Sequence, residues 1–139
     1  MAASLTQRQI DSLLEAARAV QKRAHAPYSN FLVGAAVLDD QDRVHSGCNV
    51  ENAAFPLGIC AEACAIATMV AQGSRRVRAV LVLGDGKDLV PPCGGCRQRL
   101  REFADPDLPI LVADRNGVRA RFTLGELLPH SFGPENLTP

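Results

Sequence analysis

The feature that most constrains the fold is a strongly apolar segment framed by two cysteine-bearing segments. Residues 77–84, VRAVLVLG, are rich in β-branched side chains and predict a buried central strand. Residues 59–72 before it predict a largely apolar helix that starts near Cys60. Residues 93–103 after it predict a second helix whose first turn holds two more cysteines. Helices that flank one strand can bring their N-termini together at one end of a sheet, so we expect these cysteines to converge.

The other segments complete an alternating pattern. Thr6 can cap a helix that runs to about Ala24, since Ile10, Leu13, Leu14, Ala17 and Val20 recur at helical spacing. The remaining predicted elements are a hairpin of two strands over 31–40 and 43–50, strands at 109–114 and 118–123, and a last helical turn at 124–129. The order α-β-β-α-β-α-β-β-α predicts a single α/β domain over residues 1–139, a mixed sheet covered by helices.

Composition excludes several classes of protein. The 139 residues are 47% hydrophobic, which is typical of a globular chain, and 15 basic residues balance 15 acidic ones. A neutral chain lacks the basic footprint of a protein that binds nucleic acid, and no apolar run reaches the length of a membrane span. The first residues lack the pattern of a secretory signal. We therefore expect a cytoplasmic protein, in which five cysteines indicate metal binding or catalysis.

Cys60, Cys93 and Cys96 form a candidate zinc site. Thiolates are favoured at helix N-termini and are good ligands for Zn²⁺. Three protein ligands leave the fourth tetrahedral position to water, which is the catalytic pattern, and zinc lowers the pKa of bound water to about 7. Glu62, two positions after Cys60, could reach that water and carry its proton.

Cys64 supports an alternative. It lies one helical turn after Cys60, so it could complete a closed four-cysteine structural site, in which Glu62 would have no task. That alternative describes a non-catalytic, zinc-stabilised scaffold or binding domain. By base rates, Cys48 is interpreted as a small buried apolar residue, and the histidines, including His45, as surface or core packing residues.

Several blocks of the sequence together resemble one known family. A cysteine or histidine ligand, a glutamate that is not a ligand and a Pro-Cys-x-x-Cys pair mark the zinc-dependent nucleobase deaminases. The chain resembles the small cytidine deaminases with three cysteine ligands, through PYSNFLVGAAV (27–37), GCNVENAAFPLGICAE (47–62), PCGGCRQRLREF (92–103) and ELLPHSFGPENL (126–137). Blasticidin-type deaminases share the Cys-Ala-Glu and PCGxCRQ blocks and remain an alternative, although NVEN and SFGPE are more typical of cytidine deaminases.

The resemblance implies a three-layer α/β/α domain with a central mixed sheet of about five strands. It implies hydrolytic deamination of cytidine and deoxycytidine to uridine and deoxyuridine in pyrimidine salvage. It also implies one Zn²⁺ per subunit and a homotetramer with shared active sites. The residues it assigns are Cys60, Cys93 and Cys96 as zinc ligands, Glu62 as the proton shuttle, Asn49 and Glu51 at the ribose 3′-hydroxyl, Phe31 in the nucleoside pocket, the Ala61 backbone at the base, and Phe55 and Phe132 near a site shared with another subunit.

One position departs from the family pattern. The family often has an arginine directly after the catalytic glutamate, where it offsets the charge of the zinc thiolates, and this chain has Ala63 there. Three thiolates on one Zn²⁺ form a net negative cluster. We expect the helix N-termini to compensate, together with Arg97, which follows Cys96 in the sequence.

Overall fold

The computed structural model describes residues 4–139, and it confirms the predicted order of elements. Two short 3₁₀ helices, Phe55–Leu57 and Pro134–Leu137, are added to that order. The helices are α1 (Gln7–Gln21), α2 (Ala61–Ala71), α3 (Gly94–Phe103) and α4 (Leu124–Leu127). The strands are β1 (Val33–Asp39), β2 (Val44–Cys48), β3 (Val77–Gly84), β4 (Pro109–Asp114) and β5 (Gly117–Thr123).

The five strands form one mixed sheet in the order β2-β1-β3-β4-β5. The apolar segment singled out in the sequence is β3, and it occupies the centre as predicted. It pairs antiparallel with β1 and parallel with β4, and the two edge strands add antiparallel. The parallel pair requires a crossover, and α3 supplies it. This crossover brings the start of α3 to the sheet beside the start of α2.

Helices cover both faces of the sheet, which gives the three-layer α/β/α fold expected for the family. The side chains of β3 alternate between two cores: Val80 and Val82 pack with α2 and α3, whereas Leu81 and Leu83 pack with α1. All four of these side chains are buried. A strand buried on both faces explains why its sequence reads as a continuous apolar run rather than an alternating one.

Two glycines let helices approach the sheet closely. A Cβ atom at Gly47 in β2 would lie 2.4 Å from the backbone nitrogen of Ala65 in α2. A Cβ atom at Gly34 in β1 would lie 2.2 Å from the carbonyl oxygen of Ala17 in α1. Both distances are far below any real contact, so each helix rests on strand backbone rather than on a side chain.

Helix α1 begins as predicted and ends earlier than predicted. Thr6 and Gln9 form a reciprocal capping box at its start. The helix ends at Gln21 rather than near Ala24, because the chain then turns to pair with another segment. The N–H of His25 donates to the carbonyl of Asn49 at 3.0 Å, and this bridge replaces further helical bonds.

A buried carboxylate closes the β1–β2 hairpin. Asp39 is fully buried, and its oxygens accept hydrogen bonds from the Arg43 side chain at 3.0 Å and from Ser74 Oγ at 2.8 Å. His45 Nε2 lies 2.8 Å from the same carboxylate, and the Gln41 and Arg43 N–H groups bond to its other oxygen. Burial alone raises the pKa of Asp39, but these hydrogen bonds, led by His45, outweigh it and hold the pKa well below its ordinary value.

Among residues 4–139, none of the helices combines the length and the apolar character that a membrane crossing requires.

Candidate metal centre and active site

The cysteines lie at the N-termini of two helices, as the sequence predicted. Cys60 is the N-cap of α2 and Cys93 is the N-cap of α3, both with extended backbone dihedrals. Cys96 lies in the first turn of α3 and is fully buried. Because the first N–H groups of a helix carry partial positive charge, both helices direct a favourable field at sulfur.

The three sulfur atoms converge closely enough to hold one ion. Cys60, Cys93 and Cys96 have Sγ atoms within 4.8 Å of one another, and the Cys60 and Cys93 sulfurs are 3.9 Å apart. Sulfur atoms on a tetrahedral zinc with Zn–S bonds of about 2.3 Å would lie about 3.8 Å apart. The cluster therefore fits zinc in both donor type and spacing.

Cys64 is not part of this cluster, which counts against the closed four-cysteine site. The expectation placed Cys60 and Cys64 on one helical face, but Cys60 is an N-cap with φ −79° and ψ 157° and is outside the helix proper. The side chain of Cys60 therefore does not lie on the helical face that carries Cys64. Cys64 instead lies against β2, where its Cβ is 2.6 Å from the position that a Cβ on Gly47 would occupy.

The environment of the sulfurs is unfavourable for unaided thiolates. Burial raises the pKa of Cys96 far above its ordinary value, and the neighbouring Glu62 adds to this. Burial also raises the pKa of Cys60. Cys93 differs: burial opposes its ionisation, but hydrogen bonds from the Cys96 N–H and from the other thiols lower its pKa. A divalent cation among three sulfurs reverses this balance, because it stabilises every thiolate that it binds.

Glu62 lies beside the cluster, in the first turn of α2. The side chain is almost fully buried, with the residue 4% exposed, and burial raises its pKa. Hydrogen bonds from its own N–H and from Cys96, together with the charge of Arg99, only partly oppose that rise. A buried carboxyl group with a raised pKa holds a proton more readily than an exposed one, and a carboxyl group can both accept and return a proton.

A cavity of about 360 Å³ opens onto the cluster and Glu62. Its lining includes most of the residues assigned from the sequence, namely Asn49, Glu51, Phe55, Cys60, Ala61, Glu62 and Cys93. Val33, Ile59 and Val82 form apolar parts of its wall. The arrangement is a small-molecule site whose wall includes two cysteines of the cluster, one buried acid and two polar side chains, Asn49 and Glu51.

Asn49 and Glu51 are oriented by residues 28–33, the segment that leads into β1 and its first residue. The Asn49 amide donates to the carbonyl of Phe31 at 2.8 Å and accepts from the N–H of Val33 at 2.9 Å. Glu51 accepts from the Tyr28 N–H at 3.0 Å and from the Ser29 N–H and hydroxyl. The bond from the Ser29 hydroxyl is the main cause of the lowered pKa of Glu51, so this side chain is a carboxylate at neutral pH. Each group keeps spare hydrogen-bonding capacity for a ligand.

The three phenylalanines assigned to the site from the sequence lie in different places. Phe55 lines the cavity, is 74% exposed and packs edge-on against Tyr28 with ring centroids 5.6 Å apart. Phe31 is not in the lining of the cavity in this chain; it lines a separate surface groove, and its carbonyl holds Asn49. Phe132 is exposed outside the cavity, and its carbonyl accepts from Gln98 of α3 at 2.8 Å.

The arginine that contacts the cluster is not the one expected. Arg97 donates to the carbonyls of Pro92 at 2.8 Å and Leu127 at 2.9 Å, so it braces the loop before α3 and the end of α4. Arg99 instead directs Nη1 at the Cys96 sulfur, 3.6 Å away. Its position three residues after Cys96 on one helix is the signal in the sequence that could have indicated this contact.

Comparison with known proteins gives the family. A family model described as the cytidine and deoxycytidylate deaminase zinc-binding region matches residues 7–112. The chain belongs to this deaminase family. The family is zinc-dependent, and the Cys60, Cys93 and Cys96 cluster is positioned for the ion.

Relatives in the deaminase family cover nearly the whole chain. The cytidine deaminase of Sporosarcina psychrophila is 35% identical over 129 residues, which are 93% of this chain and 95% of the relative. The cytidine deaminase of Mycobacterium tuberculosis strain H37Rv is 41% identical over 114 residues, which are 82% of each chain. The crystal structure of cytidine deaminase from Burkholderia pseudomallei matches with a TM-score of 0.82 and 40% identity, over 92% of this chain and 100% of that chain.

Proposed function

We propose that this protein is a zinc-dependent cytidine deaminase, in which a single domain spanning residues 1–139 converts cytidine or deoxycytidine and water to uridine or deoxyuridine and ammonia. The observation that carries the proposal is one cavity in which a three-sulfur cluster adjoins the buried Glu62. A closed structural zinc site would give that buried acid no task. Relatives named cytidine deaminase support the choice of base and sugar.

In this proposal Glu62 moves the protons. Cys60, Cys93 and Cys96 would hold Zn²⁺, which when bound would supply an activated water for attack at C4 of the base. Glu62 accepts one proton of that water and delivers it to ring N3. It then takes the remaining proton of the hydroxyl added at C4 and passes it to the amino group, which leaves as ammonia. The raised pKa of Glu62 suits a group that must accept and release protons within one catalytic cycle.

The polar part of the cavity wall would hold the sugar of the nucleoside. Asn49 can donate and accept, and Glu51 can accept, so both can bind the ribose 3′-hydroxyl. Ala61 is the first residue of α2, and its N–H has no partner within the helix, so the backbone there can bind the base. A carboxylate near the sugar disfavours a phosphate beside it, so we expect a free nucleoside as the substrate.

We further propose a homotetramer with shared active sites. The chain exposes large apolar side chains around the cavity mouth and at its C-terminal end, with Phe55 74%, Phe132 57% and Leu137 76% exposed. Phe132 would pack near the base in an adjoining subunit, and Phe55 would lie at a shared site. Light scattering tests this proposal, because the tetramer has four times the 14.8 kDa of the chain.

We assign the enzyme to nucleoside salvage in the cytoplasm. The support is chemical: all five cysteines are unpaired, and a thiol-ligated zinc site persists in a reducing compartment.

The decisive experiment replaces Glu62 with glutamine. Turnover of cytidine is followed by the loss of its ultraviolet absorbance, and zinc content is measured on the same samples. Glu62→Gln should keep its zinc and its circular dichroism spectrum while turnover falls by roughly 10²- to 10⁴-fold. The exposed Glu15 on α1 gives the matched control, and Glu15→Gln should retain full activity.

Parallel assays with other substrates test the specificity. Cytidine monophosphate should be a much poorer substrate than cytidine, and deoxycytidine should be turned over. Turnover of blasticidin S in preference to cytidine would favour the blasticidin-type alternative. A zinc-loaded protein without turnover of any of these compounds would refute the proposed function.

A further inference from the structure

The proposed zinc cluster carries a net negative charge, and the position that often offsets this charge in the family is uncharged in this chain. One Zn²⁺ with three thiolates has a net charge of −1, and the carboxylate of Glu62 lies in the same cavity. Members of the family often have an arginine directly after the glutamate, where its positive charge offsets that of the cluster. In this chain that position is Ala63, which has no charge to offer.

Arg99 supplies a positive charge from a different helix. Its Nη1 donates to the sulfur of Cys96 at 3.6 Å, which is within hydrogen-bonding range for sulfur. Cys96 is fully buried, so this sulfur has little access to water as an alternative partner. Within residues 4–139, Arg99 is the one arginine whose side chain bonds to a sulfur of the cluster, since Arg97 is engaged with two backbone carbonyls.

Gly95 makes room for this contact. A Cβ atom at this position would lie 3.3 Å from Arg99 Nη1, a crowded distance, and 4.0 Å from the sulfur of Cys93. Any larger side chain at position 95 would therefore press on the guanidinium where it approaches the cluster. The absence of a side chain at Gly95 and the contact of Arg99 form one local arrangement.

We propose that Arg99 is the positioning residue that offsets the negative charge of the zinc–thiolate cluster in this chain. It would take the role of the arginine that related proteins often have at the position of Ala63. This inference rests on the proposed function for its catalytic consequence only. By holding the Cys96 sulfur, Arg99 stabilises the zinc-bound state and draws electron density from that ligand, which leaves the ion a stronger Lewis acid. Arg99 does not line the cavity, so it is not expected to bind the nucleoside.

The test compares the zinc-loaded variants Arg99→Met and Arg99→Lys. Partners that orient a metal ligand are typically worth about 10- to 100-fold in metal affinity or activity, and we expect about 10-fold for this exposed donor. Arg99→Met should lose zinc to a chelator about 10-fold more readily and should show a lower kcat with an unchanged KM. Arg99→Lys keeps the charge and should recover most of both losses.

Two further measurements separate charge from folding. The cobalt-substituted protein should show a shifted thiolate-to-cobalt absorption band in Arg99→Met, which a change of global stability would not cause. Gly95→Val should weaken zinc retention in the wild-type background and have no added effect in Arg99→Met. Arg76→Met removes an exposed ion pair with Asp105 and serves as the control that should leave every readout unchanged.

The outcomes are distinct. Zinc retention, cobalt spectrum and kcat of Arg99→Met within about twofold of wild type would overturn the inference, and so would an Arg99→Lys variant as impaired as Arg99→Met. The chelator and cobalt measurements need no substrate. If the wild-type protein fails to deaminate cytidine, the proposed function falls while these two measurements still decide the role of Arg99.

Discussion

The close packing of α2 against Gly47 of β2 helps to set the geometry of the active site. A Cβ atom at Gly47 would lie 2.4 Å from the nitrogen of Ala65, whereas ordinary contact begins at 3.4 Å. In Gly47→Ala the helix must therefore move by about 1 Å. The same helix carries Cys60 at its cap and Glu62 in its first turn, so both groups move with it.

The expected loss follows from that displacement. Overpacking of this kind costs typically 1–3 kcal/mol of the free energy of unfolding, which leaves a domain of ordinary stability folded. A misplacement of about 1 Å at a catalytic centre can lower the rate by about 100-fold. We therefore expect Gly47→Ala to fold, to lose about 1–3 kcal/mol of stability and to lose about 10- to 100-fold in kcat/KM for cytidine.

Gly34 gives a matched control on the opposite face of the sheet. Gly34→Ala brings a Cβ to 2.2 Å from the carbonyl of Ala17, so it overpacks α1 to a similar degree without touching α2. Urea denaturation should show similar losses of stability for the two variants, while the ultraviolet assay should show a loss of more than about threefold only for Gly47→Ala. Equal kcat/KM values for the two variants, at equal zinc content, would refute the reasoning.

Two other sites give independent predictions. Asp39→Asn should lower the free energy of unfolding at pH 7 by about 3 kcal/mol, because it disrupts a fully buried, hydrogen-bonded carboxylate. Since the folded-state pKa of Asp39 is depressed, its contribution is present above the unfolded-state pKa of about 3.9 and is lost as the pH falls below it, so the difference between the two proteins in urea denaturation should narrow below about pH 4. A gap that stays constant down to pH 3 would contradict this assignment. Glu51→Gln removes a negative charge from the cavity wall, so the ratio of kcat/KM for cytidine monophosphate to that for cytidine should rise, and an unchanged ratio would show that this carboxylate does not exclude phosphate.

Local signals in the sequence were enough to predict the elements and the metal cluster. The β-branched run of β3 and the capping residue Thr6 each act over a few residues, so each could be interpreted without tertiary information. The convergence of Cys60 and Cys93 also followed from local features, because two helix starts flank one strand.

The errors arose where a side-chain direction or a distant partner decides the outcome. Cys64 was placed on the face of Cys60 by helical spacing, which does not apply to an N-cap residue. The spacing of Arg99 three residues after Cys96 permits their contact, but the space that Gly95 leaves for the guanidinium is visible only in three dimensions. His45 is buried, in keeping with its interpretation as a packing residue, but its hydrogen bond to Asp39 was not predicted.

In the first two turns of α3, consecutive side chains each make a specific contact, so the helix tolerates no shift in sequence register. Six consecutive side chains point to six different neighbours: Cys96 to the other sulfurs, Arg97 to two backbone carbonyls, Gln98 to the Phe132 carbonyl, Arg99 to the Cys96 sulfur, Leu100 to the core and Arg101 to Ser131 and Glu135. Insertion or deletion of one residue rotates everything beyond it by about 100°. One such insertion or deletion would disrupt the contacts of α3 with the metal centre, the core and the C-terminal segment together. Length variation among natural relatives should therefore fall outside this helix, in turns such as the one between β4 and β5.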